Sequence, residues 1–133
     1  MVSIYKAISE LEEKGQMAVL CTIVESKGST PRHQSSKMLV YQEGKILGTV
    51  GGGEIENRVI QESSSVMSEG KSKLLNYKLT DPQAGDPGIC GGQVIVYLEP
   101  VGRKDKLLII GAGHVGKAVA KLGKWLGFYV IVS

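Results

Sequence analysis

The pattern of apolar and polar positions predicts that helices and strands alternate along residues 1–100. Apolar residues recur every three to four positions where helices are predicted, as at Ile4, Ile8 and Leu11, and they run together or alternate where strands are predicted. Glycines and polar turns separate these segments. The predicted elements are helix 3–14, strand 17–25, hairpin strands 37–41 and 45–50, helix 53–69, strand 73–80 and strand 94–98.

A second unit is predicted after the polar segment 99–105, which contains both Pro and Gly and marks the expected domain boundary. The segments that follow are strand 106–110, the glycines Gly111, Gly113 and Gly116, a helix up to Leu126 and strand 128–132. A G-x-G-x-x-G motif between a strand and a helix, followed by a second strand, indicates the opening of a Rossmann-type domain. Its three glycines allow the tight turn, the approach of a pyrophosphate and close packing of the helix on the strand.

This β-α-β unit is predicted to be incomplete. A dinucleotide site needs an acidic residue about 20 positions after the glycines, yet the last residue is Ser133 and neither Asp nor Glu precedes it in the second strand. A parallel sheet also needs cover on both faces. We therefore do not expect independent dinucleotide binding. The unit should pack against a second copy, a separate polypeptide that carries the remaining strands, or the N-terminal domain, unless the chain is a shortened form. His114 is either a solvated residue or a contact for a phosphate or a partner.

Composition excludes several classes of protein. The formal charge of +3 is small and evenly spread, which does not indicate a nucleic-acid-binding protein. No apolar run is long enough for a membrane span, and the first residues lack the pattern of a secretion signal. Cys21 lies in a predicted buried strand and Cys90 in a predicted loop, so the two do not form a disulfide framework. We therefore expect a cytoplasmic protein.

Three loops that contain many of the 18 glycines have compositions suited to binding an anion or a cofactor. Loop 28–32 combines hydroxyls, a rigid Pro and a guanidinium, which suits phosphate or carboxylate. Loop 48–54 runs from a strand through three glycines into a helix, which predicts a nest of backbone N–H groups. Loop 88–92 places a thiol beside glycines, where it can act as a nucleophile or bind a soft metal. Each loop alone is compatible with an ordinary turn, but together they predict one shared site.

The same loops carry a family resemblance. The motifs are G-S-T-P-R at 28–32, K-M-L-V at 37–40, G-T-V-G-G-G-E-I-E at 48–56, C-G-G at 90–92 and L-E-P at 98–100. In this order they resemble the xanthine dehydrogenase accessory factor family, also called XdhC/CoxI. The resemblance covers essentially the whole chain, because members of that family continue into a Rossmann domain whose opening is similar to the segment 108–133.

The resemblance implies a carrier or chaperone that binds the molybdenum cofactor (molybdopterin) and supports its sulfuration. The cofactor would be delivered to an apo-xanthine dehydrogenase or a related molybdenum hydroxylase, and contact with a cysteine desulfurase is an open expectation. The cofactor-binding role falls on Arg32, Gly51, Gly52, Gly53, Glu54, Cys90, Gly91 and Gly92. Cys90 is the preferred ligand of the metal. Glu56 is a weaker candidate, because it lies too close to Glu54 along the helix to share a face with it. Where the family usually has Gly-Ala-Lys, this chain has Ser35, Ser36 and Lys37, which leaves the shape of that loop open.

The expected fold is α/β, with a mixed-sheet N-terminal domain over 1–100 and a partial Rossmann β-α-β unit over 106–133. The leading hypothesis for its function is an accessory factor without catalysis of its own in the usual sense. The alternative is a subunit or fragment of an NAD(P)-dependent oxidoreductase, which rests on Gly111, Gly113 and Gly116 alone. A third hypothesis is an interaction fragment, present as a homo-oligomer or joined to a second chain that completes the Rossmann domain.

Overall fold

The structure is a computed structural model that describes residues 3–28, 34–80, 90–102 and 104–133. The elements in chain order are α1 (Ile4–Lys14), β1 (Ala18–Gly28), β2 (Lys37–Tyr41), β3 (Ile46–Gly48), α2 (Gly53–Glu69), β4 (Lys73–Thr80), β5 (Cys90–Val101), β6 (Lys106–Ile109), α3 (His114–Trp125) and β7 (Tyr129–Val132). The predicted helix 53–69 and strand 73–80 match α2 and β4. Strands β1 and β5 are longer than predicted, because polar and glycine residues at 26–28 and 90–93 continue their pairing. No helix in the described ranges is both long and apolar enough to cross a membrane.

Strands β1 to β5 form one sheet in the order β3-β2-β1-β5-β4. Every neighbouring pair in it is antiparallel. The predicted α/β class is confirmed, but the N-terminal sheet is antiparallel rather than mixed. The reason lies in the connections. Helix α2 carries the chain from one edge of the sheet to the other, and β5 then returns beside β4 to pair with β1 in the opposite direction.

Helices α1 and α2 cover opposite faces of this sheet. The apolar side of α2, formed by Ile55, Val59 and Val66, is buried against residues of the central strands such as Val96 and Leu98. On the other face, α1 packs on a smaller cluster whose buried members are Ala7, Leu11, Ala18, Leu20 and Leu39. Each fully buried aliphatic side chain contributes roughly 1.5–3 kcal/mol to folding. The two clusters therefore hold the N-terminal region together.

Cys21 belongs to the α2-side core, as the sequence predicts. Its side chain is fully buried. Burial raises the pKa of this thiol from 9.0 to about 12, and a hydrogen bond with Ser63 acts weakly in the opposite direction. Ser63 itself donates to the carbonyl of Val59, 2.7 Å away, within α2. Cys21 therefore stays a neutral core residue and is not available as a nucleophile.

Strands β6 and β7 form a separate, parallel pair. Helix α3 packs on one side of it, and Gly123 allows the close approach: a Cβ there would lie 2.6 Å from a methyl carbon of Leu107 and 3.2 Å from one of Val130. These elements form the predicted β-α-β unit. Tyr129 on β7 packs against Gly15 at the end of α1, where a Cβ would lie 3.1 Å from the ring. The boundary between two domains at 101–105 stays a prediction.

Candidate functional site

The end of the larger sheet where β1 stops and β5 begins brings two of the predicted loops together. Gly28, the last residue of β1, pairs with Gly92 near the start of β5. Gly92 pairs on its other side with Leu79, near the end of β4. The first and third predicted loops therefore leave the sheet from neighbouring strands at the same edge. We refer to this end of the sheet as the glycine edge.

The N-terminus of α2 lies over the same edge. The hydroxyl of Tyr77 donates a hydrogen bond to Oε2 of Glu54 at 3.0 Å, which joins the first turn of α2 to β4. Tyr77 pairs with Val94, two residues from Gly92 along β5. The contact therefore places the start of the helix toward the end of β4 that pairs with Gly92.

Gly51, Gly52 and Gly53 form a stretch of backbone without side chains that leads from the segment after β3 into the first residue of α2. Their φ angles are 118°, 79° and 65°, and residues other than glycine rarely adopt such positive values. A Cβ built on Gly52 or Gly53 would meet no atom within 4 Å. These two glycines are therefore not required by crowding inside the protein. They leave a backbone surface that a ligand can approach closely.

The N–H groups of this loop are not arranged as the sequence suggests. The N–H of Gly51 donates to Oγ1 of Thr49 at 3.0 Å, and the N–H of Gly52 donates to Oε1 of Glu56 at 2.9 Å. The hydroxyl of Thr49 also donates to that oxygen of Glu56. Two N–H groups that the sequence suggests for an external anion therefore bind oxygens of the chain itself. One binds the hydroxyl of Thr49, and the other binds the carboxylate of Glu56, which folds back from the helix onto the loop.

The two glutamates of the first turns of α2 point to different partners. Glu54 is exposed and accepts a hydrogen bond from the hydroxyl of Tyr77, whereas Glu56 is half-buried and accepts one from the N–H of Gly52 in the loop. Sequence reasoning did not identify Tyr77. The signal was present, because Leu75 and Tyr77 alternate with polar residues in β4 and so share the face that α2 covers.

Other predicted site residues lie partly or wholly outside the described part of the chain. Arg32 falls in the segment 29–33 and lies outside the described residues. Cys90 and Gly91 form the start of β5 rather than a loop, since the backbone of Cys90 already pairs with Thr80; the side chain of Cys90 lies outside the described residues. Within the described ranges no three His, Cys, Asp or Glu side chains converge on a metal site. The metal-binding role of Cys90 stays a proposal.

Ser35 occupies the place where the family usually has glycine. Its φ is 73°, and it is the one residue other than glycine with a positive φ in the described ranges. Its N–H donates to the carbonyl of Ile23 at 2.7 Å, and Ile23 donates in turn to the carbonyl of Ser36 at 2.9 Å. The backbone at Ser35 therefore has the left-handed conformation that glycine adopts easily, and in serine this conformation is strained.

The glycines of the Rossmann unit lie between β6 and α3 (Gly111 and Gly113) and in the first turn of α3 (Gly116), away from the five-stranded sheet. A Cβ on Gly116 would lie 2.2 Å from the carbonyl oxygen of Gly111, so the helix and the turn are in close contact there. Gly113 has open space above it, and His114 is exposed at the start of α3. Ser133 follows β7 and accepts the N–H of Gly111 at 3.1 Å. Residues 128–133 contain neither Asp nor Glu.

Comparison with known proteins decides the family. The profile of the XdhC and CoxI family matches residues 11–78, just over half of the chain. The chain belongs to this family. The matched region contains the triple glycine, Glu54, Glu56 and Tyr77, while Cys90 and the Rossmann unit lie beyond it.

Three relatives extend the comparison. The chain is 39% identical to the uncharacterized Escherichia coli protein YqeB over 133 residues, which is 99% of this chain and 24% of YqeB. It is 29% identical over 96 residues to the E. coli molybdenum cofactor insertion chaperone PaoD, covering 72% of this chain and 30% of PaoD. It is 28% identical over 130 residues to a Bacillus subtilis protein named as a probable xanthine dehydrogenase subunit, covering 93% of this chain and 39% of that protein. The chain thus spans less than half the length of each of these relatives.

A solved structure shows the same fold. The crystal structure of a xanthine dehydrogenase from Bacillus halodurans superposes with a TM-score of 0.60 at 18% identity, covering 98% of this chain and 62% of that one. At this level of identity the likeness concerns the fold alone.

Proposed function

We propose that this chain is an accessory protein for molybdenum enzymes, which holds the molybdenum cofactor and passes it to an apo-enzyme of the xanthine dehydrogenase type. Membership of the XdhC and CoxI family supports this proposal. So do two similar proteins, one named as a molybdenum cofactor insertion chaperone and one as a probable xanthine dehydrogenase subunit.

The observation that carries the proposal is the run of Gly51, Gly52 and Gly53, which has left-handed φ angles and no side chains. A flat pterin ring needs close approach to the protein, and the open space above Gly52 and Gly53 permits it. The paired residues Gly28 and Gly92 also carry no side chains, at the end of the sheet where β1 stops and β5 begins. In the core of the sheet, by contrast, the paired positions carry bulky side chains such as Val19 and Val96.

The side chains around this surface suit different parts of the cofactor. The exposed carboxylate of Glu54, held by Tyr77, can accept the N–H groups of a pterin ring. A thiolate at Cys90 would suit the soft molybdenum centre, and the guanidinium of Arg32 would suit the terminal phosphate. When bound, the cofactor would supply the redox-active metal of the recipient enzyme, while this chain holds and orients it. A cysteine desulfurase as a further partner is also part of the proposal.

Anaerobic purification tests the proposal directly. The chain should be expressed in a host that makes the cofactor, purified without oxygen and analysed for molybdenum and for pterin released on denaturation. We expect both to co-purify, and we expect Cys90→Ser to lower the molybdenum retained. Cys21→Ser is a matched thiol control, because Cys21 is buried away from the edge. Equal retention by the wild type and the Cys90 variant would reject the role of that thiol.

Delivery needs a second assay. Incubating the loaded chain with an apo-molybdenum hydroxylase should restore activity of that enzyme, measured with its own substrate. Tight NAD(H) binding without any pterin would instead favour the oxidoreductase hypothesis and would overturn the carrier role.

A further inference from the structure

The carboxylate of Glu56 folds back from the first turns of α2 onto the glycine loop. Its Oε1 accepts the N–H of Gly52 at 2.9 Å and also accepts the hydroxyl of Thr49. Thr49 in turn accepts the N–H of Gly51 at 3.0 Å. One side chain of the helix and one of the preceding strand end thus tie down two consecutive glycines of the loop.

This arrangement differs from an ordinary helix N-terminus. The residue that begins a helix usually has a Ser, Thr, Asp or Asn side chain, which accepts an N–H of the first turn. Here that position is Gly52, which makes no side-chain cap. The N–H of Gly52 finds its acceptor in Glu56 instead. The loop thereby gains a fixed shape without placing a side chain on its open surface.

We propose that Glu56 is a positioning residue: through Gly52 and Thr49 it holds the glycine loop in the shape that receives the cofactor, without touching the cofactor itself. The proposal rests on the proposed function for the identity of that ligand. It agrees with the sequence-based preference for Glu54 over Glu56 as a ligand contact, and it gives Glu56 a separate role. Glu54 lies toward the glycine edge and is exposed, whereas Glu56 is half-buried and already engaged by the loop.

Hydrogen exchange at the loop amides tests the positioning without any cofactor. Glu56→Ala should speed exchange of the Gly52 amide by about tenfold or more, because it loses a hydrogen bond to a charged acceptor. Glu56→Gln keeps an acceptor oxygen and should retain most of the protection. Thr49→Val should affect Gly51 in the same way, and Thr49→Ser should not. Glu54→Ala is the matched control, since it removes a carboxylate from the same turn but no contact to the loop. Unchanged exchange in both Glu56→Ala and Thr49→Val would overturn the proposal.

Cofactor retention separates positioning from two simpler roles. If Glu56 positions the loop, then Glu56→Ala loses pterin and molybdenum while Glu56→Gln recovers most of both. If Glu56 only stabilises the helix, Glu56→Ala lowers the melting temperature while each folded molecule retains as much cofactor as before, which would overturn the proposal. If Glu56 binds the ligand through its charge, Glu56→Gln is as deficient as Glu56→Ala, which would also overturn it. Failure of the wild type to retain cofactor would reject the proposed function, and the exchange data would then still decide whether Glu56 holds the loop.

Discussion

The five-stranded sheet and the β6–β7 unit are built from similarly apolar strands, but only the first encloses a core. Of the buried hydrophobic residues in the described ranges, Ile109 is the one that lies in the segment 104–133. That segment instead exposes large apolar side chains, namely Leu108, Ile110, Val115, Val119, Leu122, Trp125, Leu126, Phe128, Ile131 and Val132. An antiparallel sheet with a helix on each face closes itself, whereas a parallel pair with one helix needs further cover.

The difference also separates the two glycine motifs. The triple glycine follows a strand of the part that contains the five-stranded sheet, within residues 3–102, which we call the closed region. Thr49 and Glu56 accept hydrogen bonds from two of its N–H groups. The G-x-G-x-x-G motif belongs to the segment 104–133, which we call the open region, where Val115 and Val119 of α3 are exposed. We therefore propose that the cofactor binds in the closed region, and that the apolar surface of the open region is covered by further polypeptide, either a second copy or segments that complete the unit.

The largest expected effect compares two leucines. Leu98 is fully buried in β5 and Leu122 is 54% exposed on α3. Leu98→Ala should lower the free energy of unfolding by about 2–5 kcal/mol, since it removes buried methyl groups and leaves a cavity. Leu122→Ala should lower it by less than about 1 kcal/mol. Urea denaturation measures both. Equal losses would contradict the contrast between a closed and an open region.

The second expected effect concerns the buried thiol. In a Cys90→Ser background, Cys21 should react with a disulfide reagent at pH 8 at least about tenfold more slowly than an exposed thiol of ordinary pKa, because burial blocks access and raises its pKa from 9.0 to about 12. Unfolding in urea should abolish the difference. Because the pKa of Cys21 is higher in the folded than in the unfolded protein, the stability that depends on the neutral thiol is fully present below about pH 9. The free energy of unfolding should fall as the pH rises from 9 toward 12. Fast modification of the native protein would place Cys21 outside the core.

The third expected effect is a stabilisation within the closed region. Ser35→Gly should raise the free energy of unfolding by about 1 kcal/mol, because glycine adopts the φ of 73° without the strain that a Cβ causes. Ser36→Gly is the matched control and should be neutral or destabilising, since Ser36 is not among the residues with a positive φ. Thermal melts of the two variants make the comparison. A loss of stability in Ser35→Gly would show that the serine side chain contributes more than the strain costs.

The smallest expected effect on stability comes from substitutions in the exposed apolar surface of the open region. These substitutions should still change association. Replacing Val115 and Trp125 by Lys should change the free energy of unfolding by no more than about 0.5 kcal/mol, because both side chains are about four-fifths exposed. The same change should reduce self-association and dye binding, since it interrupts the apolar patch. Light scattering at several concentrations measures the association. A wild type that stays monomeric throughout would contradict the second-copy form of this proposal.

Much of the fold follows from sequence periodicity, while strand direction does not. The helix 53–69 and the strand 73–80 were predictable because caps, glycines and apolar spacing agree there. The extent of β5 was not, because Cys90, Gly91 and Gly92 have the composition of a turn and are held in the strand by partners distant in sequence. The antiparallel order of the sheet likewise depends on how α2 crosses it, which local pattern does not encode.

For the candidate site, the sequence indicates motifs but not contacts. The triple glycine stands out in the sequence, and the structure adds that its backbone is left-handed; its cofactor-binding role stays a prediction. The roles of Glu54 and Glu56 could not be separated, because both lie in the first turns of one helix and only the fold shows which turns back. The alternation in β4 indicates that Tyr77 faces a helix, but only the fold shows that its hydroxyl reaches Glu54.

Cofactor retention by two matched glycine variants tests the central claim most directly. Gly52 and Gly111 both have a positive φ, 79° and 109°, and open space where a Cβ would stand, but one lies at the glycine edge and the other in the G-x-G-x-x-G motif. Molybdenum and pterin should be quantified per folded chain after anaerobic purification of Gly52→Ala, Gly111→Ala and the wild type. We predict a severalfold loss in Gly52→Ala and none in Gly111→Ala. Loss in Gly111→Ala with full retention in Gly52→Ala would contradict the proposal that the cofactor binds at the glycine edge.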